Sequence, residues 1–144
     1  MENKIEYVLG FAYNKIGDTI VVLIKKNRPL WQKGLLNGVS GHIEINETPY
    51  EAMKREFHEE TGVIVDDWEN YCIIVNESYI IHIFKSYISN IELLEIEKTT
   101  DEEIFNVYVN DIFKYDLNIV PNIGWLILLG LDNTIKSLPI IVNC

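Results

Sequence analysis

Three glutamates near the middle of the chain have a spacing that suits metal chemistry. Glu56, Glu59 and Glu60 are three and four residues apart, so on a helix they share one face and their carboxylates lie within several ångströms of one another. Like charges at this spacing repel, and a bound divalent cation would reverse the sign of that interaction. Carboxylate ligands favour Mg²⁺ or Mn²⁺ over Zn²⁺. A solvated acidic helix face is the alternative interpretation of these residues.

The local sequence predicts the helix that would carry the three glutamates. Thr48 and Glu51 have the spacing of a capping box, and Pro49 suits the first helical turn. Gly62 stands where a left-handed residue would end the helix. These signals together predict a helix over residues Pro49–Thr61.

The elements around this helix are mostly strands. The sequence predicts a hairpin of Tyr7–Tyr13 and Thr19–Lys25, a loop over Asn27–Ser40, strands at Tyr71–Val75, Tyr79–Ile88 and Ile104–Val109, an irregular acidic segment over Ile91–Glu103, and a second helix over Trp125–Ser137 that ends before Pro139. This pattern indicates an α/β or α+β domain with helices packed on a mixed sheet. A length of 144 residues predicts one domain over residues 1–144.

Composition excludes several classes of function. The net charge of −10, from 12 basic and 22 acidic residues, argues against a general nucleic-acid surface, since phosphate backbones are bound by clustered Lys and Arg. The apolar stretch Ile123–Leu131 is far shorter than the twenty or so residues of a membrane span. Cys72 and Cys144 suggest no disulfide framework. We therefore expect a cytoplasmic protein without a membrane partner.

Nine positions around the helix match a known pattern. They are Gly41, Glu47, Arg55, Glu56, Phe57, Glu59, Glu60, Gly62 and Val63. Their spacing, G-x5-E-x7-R-E-U-x-E-E-x-G-U with U a bulky apolar residue, resembles the Nudix box over residues 41–63. The resemblance implies an α/β fold, the Nudix-type α/β/α sandwich with a central mixed β-sheet. It also implies hydrolysis of a nucleoside diphosphate-linked substrate with Mg²⁺ or Mn²⁺.

The resemblance assigns roles to individual residues. Glu56, Glu59 and Glu60 become metal ligands, one of which also orients or deprotonates water, and Glu47 with Arg55 becomes the pair that supports the loop against the helix. Many family members have Pro-Gly-Gly where this chain has Val39-Ser40-Gly41. A backbone carbonyl there often binds metal, so Ser40 is expected to supply it, although its Cβ removes some conformational freedom.

A further acid on a downstream loop often completes the site in this family. The candidates are Asp101, Glu102 and Glu103, among which spacing does not choose. Glu102 is taken as the metal ligand. An ordinary acidic loop is the alternative interpretation.

Two asparagines are candidates for contact with a nucleobase. The stretch from Asn37 to Gly41 resembles the entry to the box in triphosphatases that sanitise oxidised purines, so Asn37 and Gly41 are expected to contact substrate. Asn122 precedes the last helix, where an asparagine of MutT-like enzymes reads the purine. A turn residue and a helix-entry residue are the respective alternatives. Trp31 and Trp125 are candidates to stack on a base or to fill the core.

The resulting expectation is a MutT-like pyrophosphohydrolase. It would cleave a nucleoside triphosphate, with an oxidised purine as one possible base, to the monophosphate and pyrophosphate. Its partner would be a small nucleotide rather than a nucleic-acid polymer, and it would act as a monomer or homodimer. An ADP-ribose or nucleotide-sugar pyrophosphatase, and a Nudix module that binds nucleotide with little turnover, are the alternatives.

Overall fold

A computed structural model describes residues 3–114 and 117–144 of the chain. The strands are β1 (Ile5–Asn14), β2 (Ile20–Lys25), β3 (Leu36–Asn37), β4 (Val39–His42), β5 (Glu69–Val75), β6 (Tyr79–Tyr87), β7 (Glu103–Tyr108) and β8 (Ile140–Asn143). The α-helices are α1 (Pro49–Thr61), α2 (Asn90–Glu95) and α3 (Ile123–Leu131). In the described part of the chain, no helix is long and apolar enough to span a membrane.

The strands form one mixed sheet. Its main path runs β3-β2-β1-β6-β5-β8, while β4 pairs with β1 and β7 pairs with β2. The pairs β1–β6 and β5–β8 are parallel, and the other pairs are antiparallel. One edge of β1 pairs with two strands, with β2 near Tyr13 and with β4 from Tyr7 to Gly10. The loop after β4 leads to the start of α1.

Helices cover both faces of the sheet, as expected for an α/β/α sandwich. Alternate residues of β1 point to opposite faces. Val8 and Ala12 pack with Met53 and Phe57 of α1. Leu9, Phe11 and Tyr13 pack instead with the α3 residues, which are Ile123, Leu126 and Ile127. The side chains of β1 thus hold α1 and α3 on opposite sides of one sheet.

Helix α1 has the predicted bounds because its local signals act together. The Thr48 hydroxyl accepts from the Glu51 amide at 3.1 Å, and the Glu51 carboxylate accepts from the Thr48 amide at 3.2 Å. Gly62 adopts the left-handed conformation, with φ of 77°, and ends the helix. The helix therefore begins and ends at defined residues, and the packing of Met53 and Phe57 on the sheet sets which face is buried.

Two predictions of irregular segments were wrong in detail. The segment expected to be irregular over Ile91–Glu103 begins with α2, which has its own capping box between Ser89 and Glu92. The loop expected over Asn27–Ser40 contains β3 and the start of β4. Both β3 and β4 are short, and they form by pairing with β2 and β1 across the sheet.

The helix predicted over Trp125–Ser137 was also wrong in its limits. Helix α3 starts two residues earlier, at Ile123, and ends at Leu131, well before Pro139. Asp132 leaves the helical conformation, and its carboxylate accepts from the Thr134 amide at 2.9 Å and hydroxyl at 2.6 Å. This local turn competes with a further helical turn. The chain then returns to the sheet as β8, which the sequence analysis did not predict.

Candidate metal and nucleotide site

Glu56 lies between the backbone of β4 and the side chain of Arg55. Its side chain is 13% exposed, and its Oε1 accepts from Arg55 Nη1 at 2.9 Å. A Cβ at position 41 would overlap the Glu56 carboxylate, so this carboxylate rests directly on the Gly41 backbone. Burial raises the pKa of Glu56 above its ordinary value, against the lowering effect of Arg55.

Arg55 joins the start of the box to its helix. Its Nε and Nη2 donate to the two carboxylate oxygens of Glu47 at 2.7 and 2.9 Å, a bidentate pair. Nη2 also donates to the His42 carbonyl at 3.0 Å, and Nη1 reaches Glu59 at 3.3 Å. The Arg55 hydrogen bond is the main cause of the lowered pKa of Glu47. Glu47 and Arg55 thus form an ion pair that joins the loop before the helix to α1.

The backbone carbonyl of Ser40 faces away from β1. The Ile43 amide donates to the Glu6 carbonyl at 3.0 Å, which makes Glu6 and Ile43 a hydrogen-bonded pair of the antiparallel ladder. Ladder pairs alternate, so Ser40, opposite Leu9, belongs to a pair without such bonds. The His42 carbonyl points the same way and accepts from Arg55. The Ser40 carbonyl therefore faces the side of β4 on which Arg55 lies.

Glu60 lies at the end of α1 beside a second acidic residue. Its Oε2 accepts from the Thr100 hydroxyl at 3.2 Å. Burial is the main reason that the pKa of Glu60 is raised, and the nearby charge of Glu102 raises it further. Glu59, by contrast, is 55% exposed at its side chain. Of the three glutamates proposed as metal ligands, Glu56 and Glu60 are thus sheltered and Glu59 is open to solvent.

The structure distinguishes the three downstream acids. Glu102 is 3% exposed and points inward, where it pairs with Lys26 at 3.2 Å. Asp101 pairs with Arg28 at the surface, at 2.7 Å, and Glu103 is exposed at the start of β7. Of the three candidates, Glu102 is the one whose charge acts on Glu60.

The carboxylates are directed to separate partners. Within residues 3–114 and 117–144, no three Asp, Glu, His or Cys side chains are close enough to share one ion. Glu56 faces Arg55 and Glu60 faces Thr100. The donor set nonetheless fits a hard divalent cation, because its oxygens belong to carboxylates whose burial and mutual repulsion a cation would offset.

The two asparagines lie on neighbouring segments. Leu36 of β3 bridges Ile119, and the Val120 amide donates to the Leu36 carbonyl at 2.9 Å. Asn37 is only 5% exposed. Its Nδ2 donates to Gln32 Oε1 at 3.2 Å, and its Oδ1 accepts from the Gly38 backbone amide at 2.7 Å. Asn122 is exposed, with a left-handed φ of 75°. Asn122 therefore presents an accessible amide, whereas Asn37 is already engaged within its own loop.

Neither tryptophan candidate belongs to the core. Trp31 is 65% exposed on the 3-10 turn Leu30–Gln32, and Trp125 is 41% exposed on α3. Trp125 Nε1 donates to Asn122 Oδ1 at 3.3 Å, so the indole lies beside the accessible amide. The core-filling interpretation is therefore wrong for both rings.

Sequence reasoning missed two polar residues beside the carboxylates. Lys26 pairs with Glu102 across 76 residues of sequence, and the Thr100 hydroxyl contacts Glu60 across 40. Neither pairing has a local spacing signal, because the loop before β7 meets the end of β2 in the first case and the end of α1 in the second. The basic residues that follow β2 were the only hint available.

The family assignment follows from comparison of the whole sequence with protein families. The NUDIX domain family model matches residues 6–112, which is most of the chain and includes the complete box. The chain belongs to the Nudix family of hydrolases. The Nudix box at residues 41–63 thus spans the end of β4, the loop after it, α1 and the two residues that follow α1. No curated protein is significantly similar in sequence to this chain.

Solved Nudix structures share its fold at low sequence identity. A NUDIX-family hydrolase from Clostridium perfringens is 23% identical, with a TM-score of 0.70 and coverage of 92% of this chain and 99% of that one. MutT, from a study of the Aliivibrio salmonicida and Vibrio cholerae enzymes, is 16% identical, with a TM-score of 0.67 and coverage of 89% and 97%.

The third relative is the NUDIX domain of Shewanella oneidensis NrtR, solved with ADP ribose. It is 15% identical, with a TM-score of 0.69 and coverage of 91% and 88%. NrtR has also been solved with a 27mer DNA, in a chain of which this one covers 59%. At these identities the three relatives establish the fold and leave the substrate open.

Proposed function

We propose that this Nudix protein hydrolyses a nucleoside triphosphate to the monophosphate and pyrophosphate, with Mg²⁺ or Mn²⁺ as cofactor. The observation that carries the proposal is the contact of the Glu56 carboxylate with the Gly41 backbone, on the same helix as the half-buried carboxylate of Glu60. A helix that only presented charge to solvent would not bury these groups. Their burial is instead expected of groups that bind a cation.

Four groups would hold the metal. They are the carboxylates of Glu56, Glu59 and Glu60 and the carbonyl of Ser40. Glu102 is the further acidic residue, and its charge acts on Glu60. When bound, Mg²⁺ would neutralise the pyrophosphate oxygens and lower the pKa of a coordinated water. Glu59, the most exposed of these three carboxylates, would orient the attacking water or accept its proton. Glu47 and Arg55 would keep the loop and α1 at a fixed separation.

Asn122 supports the nucleotide assignment. Its exposed amide lies beside the Trp125 indole, so one surface combines a hydrogen-bonding group with an aromatic ring. Side-chain amides bind the edges of bases, and indoles stack on their faces. Arg28, at the surface beside Asp101, is exposed and would attract phosphate. The net charge of −10 supports a small nucleotide over a nucleic-acid polymer.

ADP-ribose is the second candidate substrate. The NrtR domain that binds ADP ribose aligns with 91% of this chain, which makes the same class of ligand a reasonable test compound here. The Ser40 difference from the common Pro-Gly-Gly pattern is the one feature that favours a binding module with little turnover.

A hydrolysis panel with purified protein separates these possibilities. It compares ordinary and 8-oxo-purine triphosphates, ADP-ribose, nucleotide sugars and dinucleoside polyphosphates, each with Mg²⁺ and with Mn²⁺. We expect metal-dependent release of pyrophosphate from a triphosphate. Release of phosphosugar from ADP-ribose alone would contradict the triphosphate assignment, and metal-dependent binding without product would favour the module.

The variants E59Q and E60Q test the site itself. Each should lower turnover by about a hundredfold or more, because Gln keeps the shape of Glu but not its charge. The matched control is E77Q, in the exposed turn between β5 and β6. Wild-type turnover in E59Q and E60Q would contradict the assignment of these glutamates.

A further inference from the structure

The segment Glu97–Glu102 lies across the C-terminal end of α1. The Glu97 amide donates to the Thr61 carbonyl at 3.1 Å. The Thr99 hydroxyl donates to the Glu59 carbonyl, and the Thr100 hydroxyl lies 3.2 Å from Glu60 Oε2. Two consecutive threonines thus bind the two consecutive glutamates at the end of the Nudix box.

Thr100 is the donor in one hydrogen bond and the acceptor in another. Its oxygen accepts from the Glu102 amide at 3.2 Å. A hydroxyl has one proton to donate, and an amide donor on its oxygen leaves that proton free for the Glu60 carboxylate. The orientation of this hydroxyl is therefore fixed by the backbone of Glu102.

The Glu102 side chain holds this arrangement in place from the other side. Its Oε1 accepts from Lys26 Nζ at 3.2 Å, and its Oε2 accepts from the Asn27 amide at 2.6 Å. Glu102 is 3% exposed and Lys26 is 8% exposed, so the ion pair is almost dry. Both carboxylate oxygens of Glu102 are thus occupied by protein donors.

We propose that Thr100, fixed in place by the Glu102–Lys26 ion pair, is a positioning residue that orients the Glu60 carboxylate for the divalent cation. The inference rests on the proposed function, because it takes Glu60 to be a metal ligand. It assigns Glu102 an indirect role: this residue acts on the cation through Thr100 and is not itself a ligand. Lys26 balances the Glu102 charge beside the site.

A purely structural role for Thr100 would have a different effect on stability and metal affinity. If the threonine only packed the segment against α1, its loss would lower stability and leave metal affinity unchanged. T100V keeps the shape and removes the hydroxyl, while T100S keeps the hydroxyl and removes the methyl group. The two variants therefore separate hydrogen bonding from packing.

Mn²⁺ titration of the full chain, followed by the electron paramagnetic resonance signal of free Mn²⁺, tests the proposal without substrate. We expect T100V to weaken Mn²⁺ binding by about tenfold, as for other residues that orient a metal ligand. T100S should stay within about twofold of wild type. In hydrolysis assays, T100V should need about tenfold more Mg²⁺ for half-maximal rate and approach the wild-type rate at saturating Mg²⁺.

The E60Q variant distinguishes failure of this inference from failure of the proposed function. Wild-type Mn²⁺ affinity in T100V, with weakened binding in E60Q, would overturn the role of Thr100 and leave the metal site standing. Equal loss in T100S and T100V would also overturn it, since packing would then account for both. An E60Q affinity equal to that of wild type, or no Mn²⁺ binding at all, would overturn the metal site and this inference together.

Discussion

The backbone of Gly41 in β4 and the carboxylate of Glu56 in α1 are in direct contact, with no room between them for a β-carbon. Gly41 does not have a positive φ. An alanine is therefore compatible with the local backbone conformation at position 41. The requirement for glycine at this position comes from the carboxylate that it touches.

G41A should accordingly separate stability from function. The added methyl group would push away the flexible end of Glu56, so we expect the thermal midpoint to fall by a few degrees at most. Turnover and Mn²⁺ affinity should fall by about tenfold or more, because the carboxylate leaves its position. Differential scanning fluorimetry and Mn²⁺ titration measure the two effects.

The matched variant for G41A is S40G, one residue earlier. It restores the glycine of the common family pattern and leaves the Ser40 carbonyl in the backbone, so it should retain or raise activity. A G41A protein with wild-type Mn²⁺ affinity would contradict the role given to this contact.

The sequence predicted α1 well because the signals for that helix are local. Thr48, Glu51 and Gly62 all lie at or next to its ends, and the structure uses each of them as predicted. The pairing of Glu47 with Arg55 spans eight residues and also follows from the box. Short-range features of this kind can be read from one sequence, since few alternative partners compete.

Long-range features were missed for the opposite reason. Strand β8 exists because Ile140 to Asn143 pair with β5, about seventy residues earlier in the chain. The contacts of Lys26 and Thr100 likewise depend on how the sheet brings distant segments together. Spacing among Asp101, Glu102 and Glu103 held no information about which of the three points inward; the packing of β7 on β2 decides it.

The Glu47–Arg55 pair should contribute stability that depends on pH. The Arg55 hydrogen bond lowers the pKa of Glu47 below its ordinary value of 4.5. The pair therefore stabilises the fold fully above that value, and the contribution is lost as pH falls through the lowered pKa. E47Q removes the charge, so it should destabilise the protein by about 2 kcal/mol at neutral pH.

Urea denaturation across pH measures this effect. The difference in unfolding free energy between wild type and E47Q should be constant above pH 6 or so and shrink at acid pH. E95Q, at an exposed position on α2, is the control and should differ little from wild type at any pH. A difference between wild type and E47Q that grows on acidification would rule out this account.

Removal of Lys26 should strongly destabilise the fold. The K26M variant would leave the Glu102 carboxylate, 3% exposed, without its counter-ion. Uncompensated buried charges of this kind cost about 3–5 kcal/mol. The double variant K26M/E102Q removes both charges and should recover a large part of that loss. Chemical denaturation of the single and double variants gives the coupling energy between the two charges. Equal stability of K26M and wild type would contradict a stabilising role for the ion pair.

Asn122 offers a direct test of base recognition because its backbone conformation suggests the variant to make. Its φ of 75° strains most residues but suits glycine, so N122G removes the amide without straining the entry to α3. If the amide reads the base, KM for the preferred purine triphosphate should rise by about tenfold with kcat little changed, the loss expected for one uniform binding interaction. If Asn122 only begins the helix, N122G should have wild-type kinetics, because glycine fulfils that role equally well. N122A is the contrasting variant, since it adds backbone strain of about 1 kcal/mol. A KM change seen in N122A and not in N122G would mean that Asn122 supports the backbone conformation and does not contact the base.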